Sequence, residues 1–178
     1  MRRPIAALSL AALAAVAPAA LPPLALAQQE PQKVLDATTT GFNLPAIQAK
    51  VAQGDAAAAA GKLAQAKSDY DTARLGCQNL ARFYRNLSGA FRGLDARIPR
   101  EMDQKGREAV ELQSAINLRL AALLRRMNQP EVAVPLLVEV VQLMSPTSPM
   151  GQKAYQGLLE LGFVTTPYAA AGAAPAGG

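Results

Sequence analysis

The chain has 178 residues and a formal net charge of +5, with one cysteine, no histidine and no tryptophan. A single cysteine cannot form an intramolecular disulfide, and the lack of histidine removes the commonest metal ligand and general base. The composition therefore argues against a disulfide-stapled fold and against histidine-dependent catalysis or metal binding, and the length suits one domain.

Residues 1–27 are predicted to be a secretory signal peptide. Arg2 and Arg3 precede an apolar run over residues 5–21, and Ala-Leu-Ala at 25–27 is a small-x-small cleavage site. The alternative is a membrane anchor, but the run is short for a bilayer span and prolines interrupt it. We expect export and no later membrane span. The expected location is the periplasm, or the thylakoid lumen if the source is photosynthetic, with the extracellular space as a further alternative.

The exported chain would carry only a modest charge. Cleavage removes Arg2 and Arg3 from the 18 basic residues and none of the 13 acidic ones, so the net charge falls from +5 to +3. Nucleic-acid binders have a higher positive charge density, and export makes such a partner less expected still. We therefore expect no nucleic-acid partner.

The first structural element follows a polar leader. Residues 28–42 show no helical period and are predicted to be flexible. Asn43 is a predicted N-cap, and Leu44-Pro45 open a helix that runs to about Ala60. Gly61 ends this helix or turns the chain.

The longest pattern is a heptad seam, in which apolar residues recur at alternating spacings of three and four. This spacing is typical of a helix packed along its length against another helix. The seam consists of Leu63, Ala66, Tyr70, Ala73, Cys77, Leu80, Tyr84, Leu87, Phe91, Leu94 and Ile98. It predicts a helix over residues 62–94, either continuous or broken near Gly76. Cys77 on the seam is interpreted as a small buried hydrophobe, with an intermolecular disulfide as the alternative.

Three further helices are predicted. The first begins near Pro99, folds back on the seam and ends near Met127. Residues 132–144 are apolar nearly all round and rich in Val, which also suits a strand, but Pro135 argues for a buried, distorted helix. Ser148 caps a last helix that ends before Gly162. Residues 164–178 are uncharged and rich in Ala, Gly and Pro, which predicts a disordered tail.

Four arginines lie off the seam, on the outer face of the long helix, with no acidic residue between Asp71 and Asp95. They are Arg74, Arg82, Arg85 and Arg92. They form a candidate binding patch for an anionic protein partner. The alternative is a solvated helix face, which Glu108 and Glu111 of the returning helix would neutralise.

Small residues at fixed spacings resemble the tetratricopeptide repeat, a 34-residue pair of helices. The resemblance covers residues 43–163, and Ala133 follows Ala66 by 67 residues, close to two repeats. The residues that carry it are Gly61, Ala66, Tyr70, Ala73, Tyr84, Leu87, Ser88, Phe91, Ala121, Leu124, Ala133, Leu137, Val140 and Pro146. Residues 100–107 fit the pattern poorly, so the middle is expected to be one long helical hairpin. The resemblance implies a degenerate, TPR-like α-solenoid of about five antiparallel helices that binds proteins in a concave groove.

We therefore expect an exported, all-α, non-enzymatic scaffold for protein interaction or assembly. No motif indicates a catalytic residue, a cofactor or a metal site. The alternative is a self-associating structural hairpin protein in which the Val-rich helix 132–144 forms the oligomer interface. An enzyme is a third and less favoured hypothesis. The oligomeric state separates the first two.

Overall fold

The computed structural model describes Leu35 and residues 41–168. Over these residues the protein is all-helical, with five helices and no strand. The helices are α1 (Leu44–Ala59), α2 (Leu63–Ala90), α3 (Arg97–Arg126), α4 (Pro130–Met144) and α5 (Pro149–Glu160). Each packs against the next, and α3 also touches α1 and α5. The predicted all-α class with about five helices is confirmed.

Parts of the sequence predictions lie outside the described residues. These parts are the signal peptide over 1–27, the leader apart from Leu35, Gly41 and Phe42, and the tail after residue 168. The described segment after α5 is packed: Tyr155 donates from its hydroxyl to the Thr166 carbonyl at 2.8 Å, and its ring meets Tyr168 edge to face. The first residues of the predicted tail therefore contact α5 at Tyr155, and the domain end at residue 163 stays a prediction.

Local signals set several helix ends. Asn43 accepts the backbone N–H of Ala46 at 2.7 Å, and Ser148 accepts that of Gly151 at 3.0 Å, so both predicted N-caps are confirmed. Gly162 follows α5 with φ +70°, a conformation that glycine adopts without strain. These capping bonds are local, which is why they can be read from short stretches of sequence.

The helix α2 differs from the predicted helix over 62–94. It passes through Gly76 without a break, but it ends at Ala90, four residues early. The chain turns at Gly93, whose φ is +87°, and α3 begins at Arg97. The seam residues that were expected to extend α2 therefore fall in the turn.

The core follows the seam for only part of the length of α2. Tyr70, Cys77 and the neighbouring seam positions up to Leu80 are buried, whereas Leu87 is 44% exposed and Leu94 is 79% exposed. The core cluster stops at Ala81 on α2 and resumes at Ala109 on α3. The helices α1 and α4, with 16 and 15 residues, are about half as long as α2 and α3, with 28 and 30. The hairpin of α2 and α3 therefore projects beyond the core, and we call residues 82–107 the hairpin tip.

The Val-rich segment is helical, as predicted, and α4 includes Pro135 in its interior. Ala133, Leu136, Leu137 and Val140 are buried in the core. Among the described residues, no helix combines the length and hydrophobicity needed to cross a membrane.

Candidate interaction surfaces

A cleft opens where α4 ends against the base of the hairpin tip. It lies between α2, α3 and α4, and its volume is about 520 Å³. We call it the α2–α4 cleft. Its floor is apolar and includes Ala81, Met102, Val110, Leu143 and Met144, and its rim carries Arg85, Asp103, Arg107 and Glu111. An apolar floor inside a charged rim is the usual composition of a binding surface for a peptide or a helix.

The charged side chains at the rim of the cleft differ in whether they have a hydrogen-bond partner within the fold. Asp103 accepts a hydrogen bond of 2.6 Å from the hydroxyl of Ser88, which is 1% exposed, so this bond fixes α2 against α3. The side chains of Arg85, Arg107 and Glu111 are exposed and form no hydrogen bond or ion pair with any residue that the structure describes. The rim thus presents two guanidinium groups and one carboxylate that are available to a ligand.

A polar cluster lies about one helical turn beyond the inner end of the cleft. We call it the Glu139 cluster, and it joins Glu139 of α4 to four donors. Glu139 accepts hydrogen bonds from Arg74 at 2.6 Å, Gln113 at 2.7 Å, Asn117 at 3.0 Å and Gln78 at 3.4 Å. Asn117 is fully buried, and Gln113 is 5% exposed. One carboxylate therefore ties α4 to both α2 and α3.

The four arginines of the predicted patch have separate environments. Arg74 belongs to the Glu139 cluster and is half-buried; its Nη2 pairs with Glu139 at 2.6 Å, whereas its buried Nε has no hydrogen-bond partner among the described residues. Arg82 is bonded to Asn79 at 2.9 Å. Arg85 lies at the rim of the α2–α4 cleft, and Arg92 lies in the turn after α2, exposed and without a partner among the described residues.

The expected neutralisation by Glu108 and Glu111 is not observed. Glu111 shares the cleft rim with Arg85 but forms no ion pair within the described part of the chain, and Glu108 lines a different groove, between α1, α3 and α5. The acid that neutralises one of the four arginines is Glu139, which pairs with Arg74. The antiparallel return brings Asp103 and Arg107, rather than Glu108, to the level of Arg85.

A second surface lies between α1 and α2. Its groove has a volume of about 540 Å³ and is lined by Phe42, Ile47 and Leu75. Phe42 and Leu75 are more than half exposed, and the Phe42 ring stacks on Phe83 with centroids 6.2 Å apart. We call this surface the α1–α2 groove. It is an apolar surface that no described element covers.

Burial raises the pKa of two titratable side chains in the core. Burial raises the pKa of the Cys77 thiol to about 12, and its side chain has no exposed area, so the reactive thiolate is disfavoured. Burial also raises the pKa of Tyr70 to about 12, assisted by its hydrogen bond of 2.5 Å to Asp55. Within the described residues, no group of three or more His, Cys, Asp or Glu side chains is placed to hold a metal ion.

The sequence interpretation missed the Glu139 cluster. Its four donors lie 22 to 65 residues from Glu139 along the chain. Two features of the sequence indicated such a cluster. Glu139 is the only charged residue between residues 132 and 144, and Gln113 and Asn117 are one turn apart on α3. A lone charge inside an apolar helix indicates a buried partner, because an unpaired buried charge is very costly.

No protein-family model, curated protein or solved structure matched the chain. The function is therefore argued from the surfaces described above.

Proposed function

We propose that the chain is a non-enzymatic scaffold for protein interaction, of tetratricopeptide-like type, and that it binds a segment of a partner protein in the α2–α4 cleft. The observation that carries the proposal is the cleft itself, where Arg85 and Arg107 stand unpaired, within the described residues, above an apolar floor. A partner segment with an apolar anchor and a flanking carboxylate fits this arrangement. The anchor would bury apolar area, and the carboxylate would form a charge-assisted hydrogen bond.

The packing order supports the repeat interpretation. The contacts of α3 with both α1 and α5 are those expected if alternate helices stack on one another in a solenoid. Four of the small residues that carry the resemblance lie where helices meet and are at most 1% exposed: Ala66, Ala73, Ala121 and Ala133. Small side chains at these points allow the helices to approach closely.

Export to the periplasm is part of the proposal and rests on the sequence of residues 1–27. An exported scaffold would meet its partner outside the cytoplasm. The partner should therefore be sought in the exported fraction of the source cells.

The test is a pulldown with residues 28–178 as bait. These residues include the whole compact unit from Lys33 to Gly178. The cleft variant Arg85→Glu/Arg107→Glu is compared with Lys62→Glu/Lys153→Glu, which makes the same charge change at exposed lysines away from the cleft. Wild type and control should retain a common partner, and the cleft variant should lose it. Equal capture by both variants, or capture of no specific partner by wild type, would contradict the proposal.

Self-association is the second candidate function, and the α1–α2 groove favours it. The Val-rich helix suits such an interface less well, because its central apolar residues are buried and only Val132 and Leu143 are strongly exposed. Phe42, Leu75 and Phe83 instead form an uncovered apolar surface. Light scattering that shows a stable oligomer, lost in Leu75→Ser/Phe83→Ser, would support this function. A monomeric mass would exclude it.

A further inference from the structure

The net positive charge of the described residues is concentrated in the hairpin tip. Residues 82–107 contain six arginines and Lys105 against Asp95, Glu101 and Asp103, a net charge of 7 − 3 = +4. In the rest of residues 41–168, eight basic residues balance eight acidic ones. The bundle is therefore neutral, and the tip carries the excess charge.

The tip also carries an exposed apolar stripe. Phe83 is 43% exposed and Leu87 is 44% exposed, and they lie four residues apart on one face of α2, where the Phe83 ring also stacks on Phe42. The half-buried Phe91 continues this spacing of four residues toward the turn. Leu94, in the turn, is 79% exposed, the highest exposure among the large apolar side chains that the structure describes. Apolar area is therefore presented at the point farthest from the core.

The charges around the turn are accessible. The side chains of Arg92 and Arg100 are exposed and form no ion pair or hydrogen bond with any described residue, whereas Arg97 pairs with Asp95 at 2.7 Å. The α2–α4 cleft extends no farther along the tip than Arg85 and Met102. Leu94 therefore projects from the turn as an apolar apex between cations, and no cavity described above is lined by a residue between Arg85 and Met102.

We propose that the hairpin tip binds the surface of a lipid bilayer that contains anionic lipid. Leu94 enters the interfacial layer, and Arg92 and Arg100 contact lipid phosphates. An apolar apex between unpaired cations matches a bilayer surface, where apolar side chains enter between headgroups and arginines gain from the negative surface potential. A folded acidic protein would instead require a pocket or a flat complementary face. The attachment is peripheral, since it uses one turn and does not cross the bilayer.

The tip is built rigidly enough to present this apex. The hydrogen bond between Ser88 and Asp103 joins its two helices, and Met102 beside it is 8% exposed. Tyr84 lies directly against Gly106, where an added Cβ would be 3.7 Å from the Tyr84 Cβ. The helices therefore stay paired beyond the core. The apex residues also differ from Arg85 and Arg107, so lipid binding and the partner binding proposed above can be tested with separate variants.

The first test is co-sedimentation of residues 28–178 with vesicles. Vesicles of phosphatidylcholine mixed with phosphatidylglycerol are compared with phosphatidylcholine alone, at low and at high salt. Wild type should bind only the anionic vesicles, and less at high salt. Arg92→Gln/Arg100→Gln should lower the affinity roughly thirtyfold, at about one factor of five per arginine near the surface. The matched control Lys62→Gln/Lys153→Gln removes the same charge elsewhere and should bind as wild type does.

The second test reports insertion of the apex. The chain contains no tryptophan, so Leu94→Trp introduces a single indole. Its fluorescence should shift to the blue with anionic vesicles and be quenched by lipids with brominated chains. Phe163→Trp, at an exposed position after α5 and away from the tip, should show neither change. Leu94→Ser should weaken binding about tenfold, whereas Phe163→Ser should not weaken it.

Three results would overturn the proposal. The first is no binding to anionic vesicles. The second is that Arg92→Gln/Arg100→Gln and Lys62→Gln/Lys153→Gln bind anionic vesicles equally, because binding would then follow net charge alone. The third is an unchanged indole spectrum at position 94. A pulldown partner lost in Arg92→Gln/Arg100→Gln, with no vesicle binding by wild type, would assign the tip to an acidic protein instead. Circular dichroism of each variant confirms that the fold is retained.

Discussion

Replacing Glu139 with alanine should be among the most destabilising single changes in α4. The carboxylate is the acceptor for Gln113 and Asn117, which are 5% and 0% exposed, so both amides would be left buried without their acceptor. Each stranded buried group costs about 1–3 kcal/mol. The loss of the Arg74 ion pair adds less to the destabilisation, because 26% of the Arg74 side chain is exposed and water can replace the lost partner. Allowing for relaxation, we expect Glu139→Ala to lower the free energy of unfolding by about 2–4 kcal/mol.

The measurement is urea unfolding of residues 28–178, followed by circular dichroism of the helices. Glu139→Gln keeps the side-chain shape and one acceptor oxygen but loses the charge, so it should cost about half as much, roughly 1–2 kcal/mol. Gln142→Ala is the matched control, because it removes an exposed polar side chain from the same helix. It should stay within about 0.5 kcal/mol of wild type.

The ordering of these three variants tests the reasoning. A loss below about 0.5 kcal/mol for Glu139→Ala, or a loss no larger than that of the control, would show that the cluster contributes no net stability. A double-mutant cycle with Arg74→Gln then separates the ion pair from the amide bonds. The coupling between Arg74 and Glu139 should be smaller than the total loss, because the amides make up the rest.

Three further predictions follow from single contacts. Gly151→Ala should lower the free energy of unfolding in urea by about 1–3 kcal/mol, because its Cβ would overlap the backbone of the preceding turn. Gly89 is a helical glycine with open space around it, so Gly89→Ala should raise the free energy of unfolding by up to about 1 kcal/mol. Cys77 should resist thiol reagents at neutral pH and react only as the chain unfolds, since its pKa is raised to about 12, and rapid labelling of the native protein would contradict this. Tyr70 has a folded pKa of about 12 against 10.0 for the free side chain, so it stabilises the fold fully below pH 10 and loses that contribution as the pH rises to 12. The unfolding midpoint of Tyr70→Phe should therefore fall less than that of wild type between these pH values.

The heptad seam shows how far sequence periodicity can predict this fold. Spacing alone identified the buried face of α2 from Ala66 to Leu80, because these residues face neighbouring helices. The same spacing continued through Leu87 and Leu94, which are exposed. A periodic pattern reports the helix that carries it and not the length of its neighbours. Because α1 and α4 are short, only α3 remains to cover the outer half of the seam, and Leu87 and Leu94 stay exposed.

The arginines of the candidate site show what local sequence spacing cannot predict. The local sequence does not distinguish Arg74 from Arg92, because both lie off the seam in a stretch without acidic residues. One is paired with Glu139, 65 residues away, and the other is exposed in a turn. What distinguishes them is the residue that the fold brings across from each. Such long-range contacts are not encoded in local spacing, whereas the caps at Asn43 and Ser148 are.

The residues that stabilise the core and the residues proposed to bind lie in different parts of this molecule, so stability and binding can be perturbed separately. The core ends at Ala81 and Ala109, and the Glu139 cluster lies within its limits. Beyond those limits, the tip is held by helix pairing and by the bond from Ser88 to Asp103. Substitutions at Leu94 or Arg92 remove exposed side chains that make few contacts, so they should leave the unfolding midpoint unchanged while altering binding. Substitutions in the Glu139 cluster should lower the unfolding midpoint. Binding by the protein that remains folded should be unchanged, because that cluster faces the interior. A variant at the apex that lowers the stability of the whole domain would show that the tip and the core fold as one cooperative unit.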